Sequence, residues 1–134
     1  MIVLDENLHR QRLFKAISAW YPGRVTSVTV LRASQVVKDE AIPVMLRRLD
    51  EPTFVTINVI DFWRRIEPHS AYCIVTIDLP QERTPEIPQL LRRLLRLPEF
   101  RTKTARLGTV VRLTPTHVEY YRADRQLQSF PWPL

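Results

Sequence analysis

Apolar positions along this chain follow two rhythms. Short apolar or β-branched runs occur at Ile2-Val3-Leu4, Val25 to Leu31, Thr53 to Ile60 and Tyr72 to Ile77, and each predicts a strand. Between them the spacing becomes helical. Leu13, Phe14, Ile17, Trp20 and Tyr21 share one helical face, which Pro22-Gly23 brings to a stop. Ile42, Met45, Leu46 and Leu49 form a second stripe opened by Asp39-Glu40, with Pro43 tolerated only in the first turn. Phe62 to Ile66 reads as one short helical turn. Ile87, Leu90, Leu91, Leu94 and Leu95 form a third stripe, starting near Thr84-Pro85-Glu86 and ending before Pro98. Gly108 to Leu113 and His117 to Arg122 then read as a hairpin joined at Thr114-Pro115-Thr116, and residues 123–134 as an extended tail. Strands alternating with helices predict a single α/β domain over 1–134 with a mostly parallel central sheet and the hairpin at its edge.

Composition narrows the chemistry. The 134 residues are 45% hydrophobic and 25% charged, which fits one compact domain and excludes a disordered or collagen-like chain. Two glycines in the whole sequence rule out a Gly-rich phosphate loop. The single cysteine, Cys73, lies inside an apolar run and reads as a buried small hydrophobe in a reducing compartment. Asp5-Glu6 directly follows the first apolar run, so no signal peptide is expected. No apolar stretch approaches the ~20 residues of a membrane span. The expected location is cytoplasmic, with no membrane partner.

The net charge of +6 is unevenly distributed. Residues 1–80 hold ten Lys or Arg against nine Asp or Glu, whereas 81–134 hold ten against five. Acids in the first part therefore need a reason. Asp5, Asp61 and Asp78 each follow a strand-like run, and Asp39-Glu40 opens a helix. In a parallel sheet the carboxyl ends of the strands share one edge, where ligand sites form. Crowded carboxylates repel unless a cation intervenes, and hard ions such as Mg²⁺ or Mn²⁺ accept their oxygens. The competing reading of each residue is structural, since Asp after a strand commonly caps a helix or turn.

One motif adds to this. Val3-Leu4-Asp5-Glu6-Asn7-Leu8 resembles the start of short PIN-like predicted nucleases, relatives of VapC-type toxins. The likeness continues through Lys38-Asp39-Glu40-Ala41-Ile42 and through a strand of V-T type, Phe54-Val55-Thr56-Ile57-Asn58, that leads to Asp61-Phe62-Trp63. The resemblance spans about residues 1–122 and implies a three-layer Rossmann-like fold and a metal-dependent ribonuclease. It implies catalytic and metal-binding roles for Asp5, Asp61 and either Asp39 or Glu40. Two departures stand out. Asn58 occupies a position where the family usually has an acid, and one extra residue precedes the D-F pair. Asp78 has no match in the family pattern, but its location would let it supply the missing carboxylate.

RNA is the expected substrate, guided by Arg64 and Arg65 beside Asp61 and, second, by Arg92, Arg93 and Arg96 on one helix arc. For both sets a solvated polar face is the plainer explanation. Trp63 reads as packing beneath the sheet edge rather than as a base-stacking platform. His9, His69 and His117 have no ligand spacing. The toxin likeness further implies a small antitoxin partner and a homodimer. An alternative is a catalytically degenerate PIN-like module that binds protein or RNA, favoured by Asn58 and by the apolar tail around Phe130 and Trp132.

Overall fold

The computed structural model describes residues 1–32 and 37–133, so Leu134 of the tail lies outside the described residues. Seven strands form one sheet: β1 (Ile2–Leu4), β2 (Val25–Ser27), β3 (Thr53–Thr56), β4 (Cys73–Ile77), β5 (Val110–Leu113), β6 (His117–Tyr121) and β7 (Gln128–Pro131). Their spatial order is β2-β1-β3-β4-β5-β6-β7. The first five are parallel, and β6 and β7 add antiparallel neighbours. The fold class is therefore α/β with a mostly parallel sheet.

The helices are α1 (Gln11–Ser18), α2 (Val28–Leu31), α3 (Ile42–Arg47), α4 (Val59–Phe62), α5 (Ile87–Leu94) and α6 (Lys103–Arg106). They cover both faces. Ile2, Leu4, Val55, Val75 and Val111 face a core shared with Leu13 and Ile17 of α1 and Leu91 of α5. Val3, Phe54, Ile74 and Val110 face a second core with Val28, Ile42, Leu46 and Phe62, from α2, α3 and α4. Strands buried on both faces read as continuous apolar runs rather than alternating ones, which is why β1, β3 and β4 were visible as such. Cys73 is fully buried on the first face, and burial pushes its thiol up.

Three expectations change. The run from Val25 to Leu31 is a strand only as far as Ser27. The Ser27 hydroxyl accepts from the Val30 amide at 3.1 Å and turns the chain into α2. A side-chain cap here outweighs the strand preference of Val28, Thr29 and Val30. The run from Thr53 likewise ends at Thr56, because Asn58 caps α4, and the helical turn expected at Phe62 to Ile66 begins earlier, at Val59. The β5–β6 hairpin forms, but it is not at the edge. Gln128–Pro131 of the tail returns as β7 alongside β6, and the Trp132 indole nitrogen donates to the Thr114 carbonyl at 2.7 Å. Helix α6, capped by the Thr102 hydroxyl, carries no apolar stripe and was not expected. Gly108 enters β5 at φ 84°, a conformation suited to glycine.

The chain leaves β1 toward β2 on one side and returns to β3 on the other. This reversal opens a crevice at the carboxyl ends of β1 and β3, the usual ligand position in such sheets.

Candidate functional site

Asp5 stands at that crevice. It directly follows β1, and its amide donates to the Val55 carbonyl at 2.9 Å, continuing the pairing of β1 with β3. The residue is only 4% exposed. Oδ1 accepts from the Glu6 amide at 2.8 Å and caps the 3-10 turn Glu6–Leu8. Oδ2 accepts from the Thr56 hydroxyl at 2.6 Å. Burial raises the Asp5 pKa, while these two hydrogen bonds hold it down and the Glu6 charge adds to the rise. No basic side chain pairs with Asp5 among the described residues.

Thr56 is the last residue of β3, and its hydroxyl also accepts from the Asn58 amide at 2.9 Å. Asn58 is the next link. Its Oδ1 accepts from the Asp61 amide at 3.3 Å, capping α4. Its Nδ2 donates to Asp39 Oδ2 at 3.1 Å and to Asp61 Oδ2 at 2.8 Å. Asp39 begins the 3-10 turn Asp39–Ala41 that runs into α3, where Pro43 lies in the first turn. Burial raises the Asp39 pKa, and the charges of Asp5, Asp61 and Glu6, with a hydrogen bond to Asp61, raise it further. Acids from three segments remote in sequence thus share one electrostatic field.

Comparison with protein-family models, with curated proteins and with solved structures gave no match.

A cavity of about 620 Å³ opens beside the cluster, lined by Asp39, Glu40 and Asp61 together with Arg47, Arg65 and His69. Glu40 is exposed at its rim and makes no hydrogen bond among the described residues. Asp78 is not drawn into the group. Its carboxylate pairs with Arg112 of β5, which also pairs with Glu119 of β6, so the location read from the sequence does not make it a fourth ligand. A cation on the neighbouring strand decides its position.

The arginines divide in the same way. Arg65 lines the acidic cavity, whereas the Arg64 guanidinium lies 5.2 Å over the Tyr121 ring. Arg93 lies 4.5 Å over the Trp132 ring. Arg92 and Arg96 line a different cavity with Gly23 and Arg106, next to the first residues of β1 and β3, at the opposite edge of the sheet. Helix α5 thus carries Arg92 and Arg96 to that edge and Arg93 onto Trp132. Trp63 packs on Tyr121 at 5.2 Å between centroids.

Thr56, and Asn58 as a hydrogen-bond donor rather than a weakened ligand, hold the acids in place. Both were visible as a Thr and an Asn two apart at the end of a strand, a pattern suited to side-chain capping. Every candidate donor is an oxygen, which suits Mg²⁺ or Mn²⁺ rather than a softer ion. Asn7 Oδ1, in the turn that Asp5 caps, is buried without a hydrogen-bond partner among the described residues. Among the same residues, no three His, Cys, Asp or Glu side chains are grouped closely enough to hold an ion together. The Asn58 amide stands between two of the acids.

The raised Asp5 pKa has a consequence for stability. Ionisation is penalised in the folded state, so the penalty is absent below the unfolded value near 3.8 and complete above the folded pKa. Stability contributed by this group therefore falls as pH rises through that window. Asp5→Asn is expected to raise the melting temperature at pH 7 by about 3 °C, in the range of a modest single-site effect. That gain should vanish toward pH 4. An equal difference between variant and wild type at both pH values, in thermal melts, would remove the electrostatic explanation.

Proposed function

We propose that this chain is a metal-dependent endoribonuclease of the PIN-like kind. The observation that carries the reading is Asp5, a buried residue at the strand crevice with no cationic partner among the described residues, whose charge acts with that of Asp61 on Asp39. Ionising such a group costs the folded state stability, and perturbed acids in clefts are candidates for functional sites. Asp5, Asp61 and Asp39 or Glu40 would hold the ion once the Asn58 amide between Asp39 and Asp61 swings aside and lets these side chains close up. Mg²⁺ or Mn²⁺ bound by carboxylates makes water a usable nucleophile and neutralises charge building on a phosphoryl group.

The chain's own residues prepare the site. Thr56 fixes one oxygen of Asp5, and Asn58 sets Asp39 and Asp61 on either side of its amide. Arg47 and Arg65 line the same cavity and suit bidentate contact with phosphate oxygens of an RNA strand.

Calorimetric titration with Mn²⁺ and an RNA hydrolysis assay test the reading together. Wild type should bind the ion and cleave RNA only in its presence, and Asp5→Asn and Asp61→Asn should each lower the rate at least 100-fold. Undiminished metal-dependent cleavage by both variants would reject the site.

A second reading, a degenerate module that binds protein or RNA, is favoured by one specific contact. The Asn58 amide already satisfies two carboxylates that would otherwise need a cation. Absence of Mn²⁺ binding by the wild type would select it. A small antitoxin and a homodimeric partner rest on the sequence resemblance alone.

A further inference from the structure

The opposite edge of the sheet holds a cavity of about 530 Å³, a size typical of small-ligand sites. Five cations line it: Arg92, Arg96, Arg101, Lys103 and Arg106. No acid is among its lining residues, and none of the five forms an ion pair among the described residues. Arg106 is the strongest case. It is 3% exposed, and its guanidinium donates to the Thr53 hydroxyl at 3.1 Å and to the Phe100 carbonyl at 2.9 Å, all neutral partners. A buried cation normally has a counter-charge.

Helix geometry accounts for only part of this. Arg92 lies in the last turn of α5, where the helix dipole favours a cation. Arg101, Lys103 and Arg106 come from the segment beyond, and the fold bends them back onto the same hollow. Like charges held this close repel, and a polyvalent anion would relieve that repulsion.

The other wall is aromatic. Trp20 and Tyr21, just past α1, line the cavity as an edge-to-face pair with centroids 6.1 Å apart. Gly23 lets the Tyr21 ring come close, since a Cβ at that position would lie 2.7 Å from Tyr21 Cε2. Arginines opposite half-buried aromatic rings combine phosphate contacts with surfaces on which a planar base can stack.

We infer that this cavity binds a nucleotide carrying two or more 5′ phosphates, either free or at the end of an RNA strand. The phosphates would lie among the arginines and the base against Trp20 or Tyr21. The site is separate from the acidic crevice and does not rest on the hydrolase reading.

Calorimetry in EDTA, which keeps metal chemistry out of the result, tests the inference. The probes are ADP, adenosine, pyrophosphate, and a short oligoribonucleotide with either a 5′ triphosphate or a 5′ hydroxyl. ADP should bind, adenosine and pyrophosphate should bind at least ten-fold more weakly, and the triphosphorylated strand should bind better than the hydroxyl form. The double variant Arg96→Ala, Arg101→Ala changes two exposed residues and should keep its melting temperature while losing at least ten-fold in ADP affinity. A triphosphorylated strand binding ten-fold more tightly than ADP identifies the strand end as the source, and ADP binding ten-fold more tightly than that strand identifies the free nucleotide. Unchanged affinity in the double variant would overturn the proposal. So would pyrophosphate matching ADP, or an absence of ADP binding together with equal binding of the two strand forms.

Discussion

Replacement of Asn58 by Asp is expected to destabilise the protein at pH 7 without divalent metal, and to tighten Mn²⁺ binding at least ten-fold. In the wild type the Asn58 amide donates to Asp39 Oδ2 at 3.1 Å and Asp61 Oδ2 at 2.8 Å. A carboxylate there removes both donations and sets three like charges against one another. The cap on α4 survives, because an Asp oxygen still accepts from the Asp61 amide. Hydrogen bonds to charged groups contribute about 1.5–3 kcal/mol when sheltered. These are partly solvated, so a loss of about 2 kcal/mol for the pair is the reasonable magnitude. The same three carboxylates form a better cation site. Mn²⁺ at 100 times its dissociation constant would return about 2.7 kcal/mol to the folded state. Thermal melts in EDTA and in Mn²⁺ check both halves. An Asn58→Asp variant as stable as wild type in EDTA at pH 7 would mean that the acids do not crowd.

Arg106→Met is expected to cost about 3 kcal/mol, lowering the melting temperature by roughly 10 °C. The guanidinium joins three segments that no strand pairing connects: α6 itself, Thr53 at the start of β3, and the turn at Phe100, whose carbonyl it meets at 2.9 Å. Met fills much of the volume but leaves a buried hydroxyl and a buried carbonyl without their donor. Neutralising an unpaired buried cation also removes a desolvation cost, which opposes the loss. The loss is larger because unsatisfied acceptors remain behind. Arg106→Lys should recover little, since one ammonium cannot reproduce the planar fork. Chemical denaturation of both variants decides the matter. A change below 1 kcal/mol for Met would show that the hydrogen bonds are replaced by water.

The acidic and basic edges revise the meaning of the net charge. The excess cations of the last third are not spread as a solubilising skin. Five of them line one hollow at the amino ends of the strands, while Asp5, Asp39 and Asp61 gather at the carboxyl ends. Attraction between these two ends acts over the whole length of the strands and does little for stability. Each edge instead concentrates one sign of charge in a recess, where it can select ligands of opposite sign.

The two halves of the molecule differ in how readable they were. The α/β class, the parallel strands β1, β3 and β4, and the stripes of α1, α3 and α5 were legible because burial on a sheet face or helix face imposes its own period on a sequence. Elements without an apolar stripe were not. Helix α6 is a single turn held by the Thr102 cap and by Arg106, and β7 is a strand of mostly exposed residues defined by its pairing with β6. At Ser27 and Asn58 a hydroxyl and an amide end strands that hydrophobicity alone would have continued.

The candidate acids divide on the same principle. Their positions after strands followed from local pattern, and Asp5, Asp39 and Asp61 do share a field. Which acids share it depends on partners distant in sequence. Asp78 follows a strand-like run as Asp61 does, yet Arg112, brought beside it by the pairing of β4 with β5, holds it apart. Arg92 and Arg96 looked like a guide for substrate at the acidic edge, yet the direction of α5 carries them to the other end of the sheet. The sequence by itself determined the layers, the burial of Cys73 and the supply of acids and arginines, because periodicity and composition are local properties. Only the tertiary structure decided which charges meet, because Coulomb and hydrogen-bond energies depend on distances that chain order does not contain.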